Sequence, residues 1–331
     1  MLRVSLGTAG VLGLRAVKQE HCPTTAYLMD GEKCLRDCAF CPQARRASSR
    51  ADLLSRVTWP EYPLPVVQER LKQVAGQGEP LRRACIQVVQ AEKAGQKGLE
   101  DLVRELATAG LPVCVSCFLP SLQAISGLLA AGADGVTLPL DAASEEAYRR
   151  TKGGTLPAAL VQLERAARAF PGRIGTHLIV GLGESEQAMV QMLQLMQDWG
   201  VRVGLFAFTP VPGTRMAAWA PPSLDSYRRL QAAHYFIRKG LARGEEFSFR
   251  AGRLVGFGPR LAAGDAWQRL LGDGEAFRTT GCSHCNRPYY NERPGTVPYN
   301  FPRPLQPQEA ARELERLASS LGSEGRQAAS V

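Results

Sequence analysis

Residues 33–43, KCLRDCAFCPQ, carry Cys34, Cys38 and Cys41 in a Cys-x3-Cys-x2-Cys spacing, with the aromatic Phe40 directly before the third. Thiolates this close together on one short stretch read as a metal site. A [4Fe-4S] cluster normally takes four thiolate ligands, so three leave one iron open. An open metal position binds substrate or cofactor and does more than hold the fold. A structural zinc ion is the competing reading, but it needs a fourth ligand, and the nearest, His21 and Cys22, precede the strand before the loop. A disulfide fits less well, because an odd trio in a chain without a convincing secretory signal is no oxidised framework.

The elements around this loop set the fold class. Apolar strand-like runs fall at 24–29, 84–89, 112–118, 135–140, 174–182, 201–208, 246–250 and about 276–280. Helical patterns lie between most of them, at 65–75, 98–109, 122–131, 144–151, 158–169, 185–199, 225–241 and 259–271. Strand and helix alternating in this way predict an α/β fold, a parallel sheet closed into a (β/α)8 TIM-type barrel. Strands apolar on both sides suit a sheet buried on both faces. Chemistry in such barrels sits at the carboxyl ends of the strands, which is where a loop after the first strand lies. Segment 1–23 reads as a lead-in helix over 4–14. The barrel spans 24–293, and 294–331 supplies a Pro-rich strap at 294–308, a helix at 307–321 and a flexible tail from Ser323.

This layout places the other cysteines. Cys85 falls in the second strand, Cys114 and Cys117 in the third, and Cys282 and Cys285 form a Cys-x2-Cys just past the eighth. A lone strand cysteine is most often a small buried hydrophobe, yet four of these five can meet at one mouth of one barrel. Alternate strand residues face opposite sides, so Cys114 and Cys117 cannot both point inward from a regular strand. One of them is core or belongs to the loop beyond. Asp141 ends the fourth strand, where a carboxylate either accepts hydrogen bonds from ribose hydroxyls or caps the next helix.

Composition narrows the partners. The chain has 331 residues, 45% of them hydrophobic and 21% charged, ordinary proportions for a globular enzyme. Its formal net charge of +9 steers in an anionic partner. Without a long Lys/Arg run or interleaved aromatics, nucleic acid is not the expected one. No stretch approaches the ~20 apolar residues that a membrane helix needs. Nine cysteines with an oxygen-sensitive cluster predict a reducing cytoplasm.

The cluster motif with Phe40 resembles that of the radical S-adenosylmethionine (SAM) enzymes. The resemblance implies that the open iron is chelated by the amino and carboxylate groups of SAM. One electron, from a donor such as ferredoxin or flavodoxin, then cleaves SAM to a 5′-deoxyadenosyl radical. HLIVGLGES at the end of the fifth strand is similar to the Gly-x-Ile-x-Gly-x-x-Glu element those enzymes use beside the adenine: Ile179, Gly181 and Glu184 match, and His177 stands where the first Gly would be. On its own such a turn is only a strand-to-helix connection. FTPVPGT around Pro210 resembles the element that lines the SAM pocket of biotin synthases.

RRACIQ around Cys85, GLPVCVS around Cys114 and HLIVGLGE follow the order of the biotin synthase family. By that resemblance Cys85 and Cys114 correspond to two ligands of its auxiliary [2Fe-2S] cluster. The third ligand falls at Gly175, where this chain has no cysteine, and the arginine ligand falls near Ser248, two residues before Arg250. Half of that site is missing while Cys282 and Cys285 are extra, which implies a second [4Fe-4S] cluster held by Cys282, Cys285 and one or two of Cys85, Cys114 and Cys117. Zinc suits the same thiolates.

GCSHCNRPYYNERPG at 281–295 resembles the C-terminal segment of biotin-synthase-like proteins that act as a two-component lipoyl synthase. In that system two related radical SAM proteins share the insertion of two sulfur atoms into an octanoyl chain. The implied reaction is hydrogen abstraction from the octanoyl chain, then attack of the carbon radical on a sulfide of the auxiliary cluster, which is consumed as sulfur donor. The implied partners are a second radical SAM component and an octanoylated lipoyl carrier domain or octanoyl-lysine peptide; such domains are acidic, which the positive charge complements. Arg250, Arg287, Tyr289 and Tyr290 are candidates for the substrate side. Biotin synthesis, another radical SAM rearrangement or methylation, and a non-catalytic metal-dependent partner subunit are the alternatives.

Overall fold

A computed structural model describes residues 1–31, 33–76, 80–89, 96–292 and 295–322. The expected tail from Ser323 and the boundary at 293–294 lie outside the described residues. The chain opens with β1 (Leu2–Val4) and α1 (Leu6–Val11), then β2 (Thr25–Asp30), three short strands β3 (Leu53–Leu54), β4 (Val57–Thr58) and β5 (Glu61–Tyr62), and α2 (Leu64–Gly76). Strand and helix then alternate: β6 (Arg83–Val88), α3 (Gln96–Ala107), β7 (Val113–Ser116), α4 (Leu122–Ala130), β8 (Ala133–Thr137), α5 (Glu145–Thr151), α6 (Leu156–Ala169), β9 (Ile174–Val180), α7 (Glu186–Asp198), β10 (Arg202–Ala207) and α8 (Leu224–Arg238). A hairpin of β11 (Ser248–Arg250) and β12 (Arg253–Gly256), the short helices α9 (Pro259–Ala262) and α10 (Ala266–Leu270), and α11 (Pro307–Gly322) complete it.

The α/β class and the eight-stranded, mainly parallel sheet follow the sequence pattern, with the order β10-β9-β8-β7-β6-β2-β1-β5. Two of the eight strands are not the ones expected. The lead-in segment contributes β1, because residues 2–4 pair antiparallel with β2 (Arg3 opposite Met29) before Ser5 caps the short α1. β5 pairs in turn on β1. The expected seventh strand lies outside this sheet. Ser248–Arg250 turns back on Arg253–Gly256 through Ala251 and Gly252, both at positive φ (46° and 78°), the backbone of a two-residue hairpin turn. The expected eighth strand is a 3₁₀ turn at Glu275–Phe277 with a single bridge from Arg278 to Phe301.

The sheet edges are therefore β10 and β5, and the space between β10 and the start of β2 is bridged by a segment that makes no strand. Segment 279–291 runs through it: Thr280 Oγ1 accepts from Leu205 N–H (3.1 Å), and Asn291 Nδ2 donates to Ala207 O (2.7 Å). On the other flank Asn286 Oδ1 accepts from Thr24 N–H (3.0 Å), and Tyr27 Oη accepts from Arg287 N–H (2.8 Å). The helices cover the outside of the sheet, with serines Ser121, Ser144, Ser185 and Ser223 capping α4, α5, α7 and α8, as the orphan N–H groups of a first turn require. Buried Arg228 of α8 ties down the far end of the chain, donating to Glu313 of α11 (2.7 Å) and to the carbonyls of Pro298 and Tyr299 in the strap.

Candidate functional site

Period-two alternation decides what lines the barrel. Tyr27, Cys85, Cys114 and Gly135 are successive Cα partners across β2, β6, β7 and β8. On the far side Gly175 is partnered by Arg202, and His177 by Gly204. Of these, all but Gly135 line one cavity of about 270 Å³ with mainly apolar walls, and the cysteines around it form an upper and a deep set.

Cys34, Cys38 and Cys41 form the upper set, on the loop after β2. The loop's shape comes from its own backbone and from two neighbours. Cys34 N–H donates to Gln43 O (3.0 Å) and Ala39 N–H to Thr151 O at the end of α5 (2.7 Å). Gln43 is buried and donates to Ala51 O and Leu53 O. The 208–214 segment clasps the other side, where Ser48 N–H donates to Gly213 O (2.9 Å). A Cβ on Gly213 (φ 84°) would stand 2.5 Å from Ser49 N, so only glycine fits there. Burial pushes the Cys38 thiol up and the Cys41 thiol up to about 12. Without a cation to stabilise the thiolates, both stay protonated at neutral pH.

Asp141, at φ 68°, is buried and pairs with buried Lys152, while Ser144 does the capping. Burial alone would depress the Lys152 ammonium, but the charge of the Asp141 carboxylate and its hydrogen bond outweigh it and hold the pKa above the ordinary value. Ile179 lines the cavity. Glu184 is turned back, accepting from Gly181 N–H (2.8 Å) to lock the turn after β9. Pro210 is half-buried between Thr209 and Val211, which line the cavity while it does not. His177 packs edge-on against Phe206 at 4.9 Å, and burial lowers its pKa to about 4, so the ring is neutral.

The deep set is Cys85, Cys114, Cys282 and Cys285. Cys114 hydrogen-bonds with Cys282 and with Cys85; the first lowers its pKa, and the second together with burial raises it well above the usual thiol range. Its bond to Cys114 and then burial push Cys282 up. Cys285 is pushed up by burial, against the pull of Arg287 and of Tyr27, whose hydroxyl lies 3.4 Å from its sulfur. Cys117 lines the cavity but stands apart from this set. It follows the last residue of β7, and burial alone takes its thiol up to about 12. Among the described residues no three His, Cys, Asp or Glu side chains gather closely enough for a single metal ion.

Arginines that sequence reading missed wall the deep set. Arg83, fully buried, pairs with Asp134, donates to Ser283 Oγ (3.3 Å) and acts on both Cys114 and Cys282. Arg202 acts on Cys282. The Nε–H groups of both arginines are buried without a hydrogen-bond partner. Alternation held the clue, since Arg83 sits two residues before Cys85 on the same face.

Of the substrate-side candidates, Arg287 and Tyr290 reach the cavity. Arg287 lies 3.8 Å over the Phe206 ring and donates to Thr280 O (2.9 Å). Tyr290 packs against Tyr27, Trp59 and Phe206, within electrostatic reach of Cys85, Cys285 and Cys41, and so stands between the two sets. Tyr289 faces a separate cavity and stacks on His21. Arg250 and Ser248 are exposed on the β11–β12 hairpin and do not line the cavity, because the Ala251-Gly252 turn carries them out of the main sheet. The arginines near the deep thiols are Arg83, Arg202 and Arg287 instead.

The pattern of the radical SAM superfamily matches residues 29–196, just over half of the chain. The chain belongs to the radical SAM superfamily. It is 28% identical over 218 residues to a biotin synthase of Synechococcus sp. (strain JA-3-3Ab), covering 62% of this chain and 67% of that protein. It is 26% identical over 259 residues to a lipoyl synthase of Chlamydia muridarum (strain MoPn / Nigg), covering 71% and 80%. Methylornithine synthase (PylB) shares the fold at a TM-score of 0.52 and 15% identity, and the [FeFe]-hydrogenase maturase HydG at 0.53 and 13%. Each match covers 70% of this chain, but only 65% and 57% of those two chains.

Membership of the radical SAM superfamily implies a [4Fe-4S] cluster and SAM, and the upper set fits them. Three thiols face one cavity from one loop, with the buried Asp141–Lys152 pair beside Cys38. Among the described residues no helix is long and apolar enough to cross a membrane.

Proposed function

We propose that this radical SAM enzyme inserts sulfur into an unactivated C–H bond, as a component of a lipoyl synthase acting on a carrier-bound octanoyl chain. The carrying observation is that one apolar cavity holds two cysteine sets at two depths, with the deep set walled by arginines whose buried Nε–H groups lack partners. Partnerless buried donors are costly, and an anionic cluster with acceptor sulfides supplies what they lack. Cys34, Cys38 and Cys41 would hold the radical-generating [4Fe-4S] cluster, and Cys85, Cys114, Cys282 and Cys285 a second one. When bound, the upper cluster with SAM supplies a 5′-deoxyadenosyl radical and the deep cluster supplies sulfide.

The chain's own residues hold and dry the space between. Phe40, Ile179, Phe206 and Phe208 give walls on which an alkyl chain packs without polar competition. Tyr290 and the Arg287–Phe206 pair narrow the passage between the two depths. The +9 charge supports docking of an acidic carrier domain, and the partners would include a second radical SAM component and a ferredoxin- or flavodoxin-like electron donor.

The test is anaerobic incubation of reconstituted protein with SAM, reductant and an octanoyl-lysyl peptide, read by mass spectrometry with and without the partner protein. A mass gain of sulfur is expected. Its absence in both conditions sinks the substrate assignment. Turnover of dethiobiotin would favour the biotin synthase reading, for which Cys85 and Cys114 speak and Gly175 does not.

A further inference from the structure

A further cavity, of about 840 Å³, lies at the opposite end of the barrel from the cluster loop. Its walls come from residues that lead into the strands: Cys22 and Thr24 before β2, and Gly200 and Val201 before β10. It shares Arg202, Gly281, Cys282 and Cys285 with the cavity above, so the Cys-x2-Cys loop is the partition between the two. Ser283 and His284, between the two cysteines, are exposed.

We propose that this lower cavity is a back entrance through which ferrous iron and hydrosulfide reach Cys282 and Cys285. The inference rests on the deep set being a sulfur-donating cluster site. A donor that gives up sulfide in turnover has to be resupplied. From the mouth, the path to the deep thiols runs past the upper cysteines, Phe206 and Tyr290, through the space that substrate fills. From below, only the loop itself intervenes. Arg202, Arg238, Arg278 and Arg303 line the lower cavity together with Glu20 and Glu275; Arg238 is paired with Glu275 and Arg303 with Glu309, so the positive charge that concentrates a small anion such as hydrosulfide rests on Arg202 and Arg278. Glu20, His21 and Cys22 on the same walls offer carboxylate, imidazole and thiol donors for iron in transit.

The experiment isolates the deep set in the full-length Cys34→Ala/Cys38→Ala/Cys41→Ala variant. It is reconstituted anaerobically with equal amounts of ferrous ammonium sulfate and ferric chloride and with sodium sulfide, so that iron and sulfide balance to the 2+ state of a [4Fe-4S] cluster, and iron uptake is followed by visible absorbance. Two further substitutions are each added to that background. Gln197→Trp, from an exposed position on the lower cavity, narrows it, and Arg278→Glu reverses a wall charge. Each is expected to slow uptake by roughly tenfold, with the final iron content and melting temperature unchanged. An unaltered rate in both overturns the back entrance while leaving the deep site standing. No iron uptake in the unblocked background overturns the deep site itself, and the entrance with it.

Discussion

The cysteines at the mouth of the barrel and those at its floor differ in how the chain supplies them and in the charge around them. Cys34, Cys38 and Cys41 come from one loop whose backbone hydrogen bonds already bring them together, beside the neutralised pair Asp141–Lys152. Cys85, Cys114, Cys282 and Cys285 come from two strands and a distant loop, among Arg83, Arg202 and Arg287. Cys85 and Cys114 sit on strands, which hold a site more rigidly than a loop does, and an arginine wall favours an anionic occupant. The two sets thus differ in how firmly the fold fixes them and in the charge of the occupant each favours.

Cysteine substitutions break this comparison most sharply. Cys38→Ala or Cys41→Ala is expected to reduce SAM cleavage, measured as 5′-deoxyadenosine, to background. Cys114→Ala or Cys282→Ala should leave cleavage in place and abolish sulfur transfer. Equal loss in both groups would show that the sets are not separate. The buried ion pair comes next. Lys152→Met leaves the Asp141 carboxylate buried without its partner and should cost about 3–5 kcal/mol in urea unfolding. Asp141→Asn/Lys152→Met should recover most of that, whereas a double variant no more stable than the single would show that the pair is not what stabilises the mouth.

Smaller effects sharpen the floor. Arg202→Gln should weaken iron retention by the deep set about 10- to 100-fold, as loss of an outer-sphere partner does, with the upper cluster's absorbance unchanged. Loss from both sets would deny the arginine wall its local role. Last is pH dependence. Burial lowers the pKa of His177 to about 4 and that of His234 to about 3, from 6.5. Between these values the unfolded chain binds protons that the folded one does not. Stability therefore falls as pH drops from about 6.5 towards 4, by up to about 1.4 kcal/mol per pH unit for each histidine. His177→Phe should flatten that slope by about half in the metal-free protein; an unchanged slope would place His177 in contact with water.

The parts legible in the sequence were those with a local cause. Hydrophobic alternation located β2 and β6 through β10 and the helices between them, and the compact cysteine spacing marked the upper set. Where the expected seventh strand failed, the information was also local but was passed over, since Ala251-Gly252 between Phe249 and Leu254 is a hairpin turn. The eighth failed for a different reason. Residues 279–291 make no strand, and Thr280, Asn286, Arg287 and Asn291 find partners in β10, in Thr24 just before β2 and in the Tyr27 side chain, all distant in sequence. Lys152 gave no sign of itself, because its meaning depends on Asp141, eleven residues before it and across a turn.

By itself, the sequence determined the superfamily chemistry at the mouth, because three thiols and an aromatic within one loop need no long-range contact to meet. Tertiary structure alone decided which other cysteines belong together. Strand register sets Cys85 beside Cys114 and leaves Cys117, past the end of β7, apart from them, and the passage of 279–291 between β10 and the start of β2 brings Cys282 and Cys285 under them. Those placements depend on which backbone groups the sheet leaves unpaired, and spacing along the chain does not encode that.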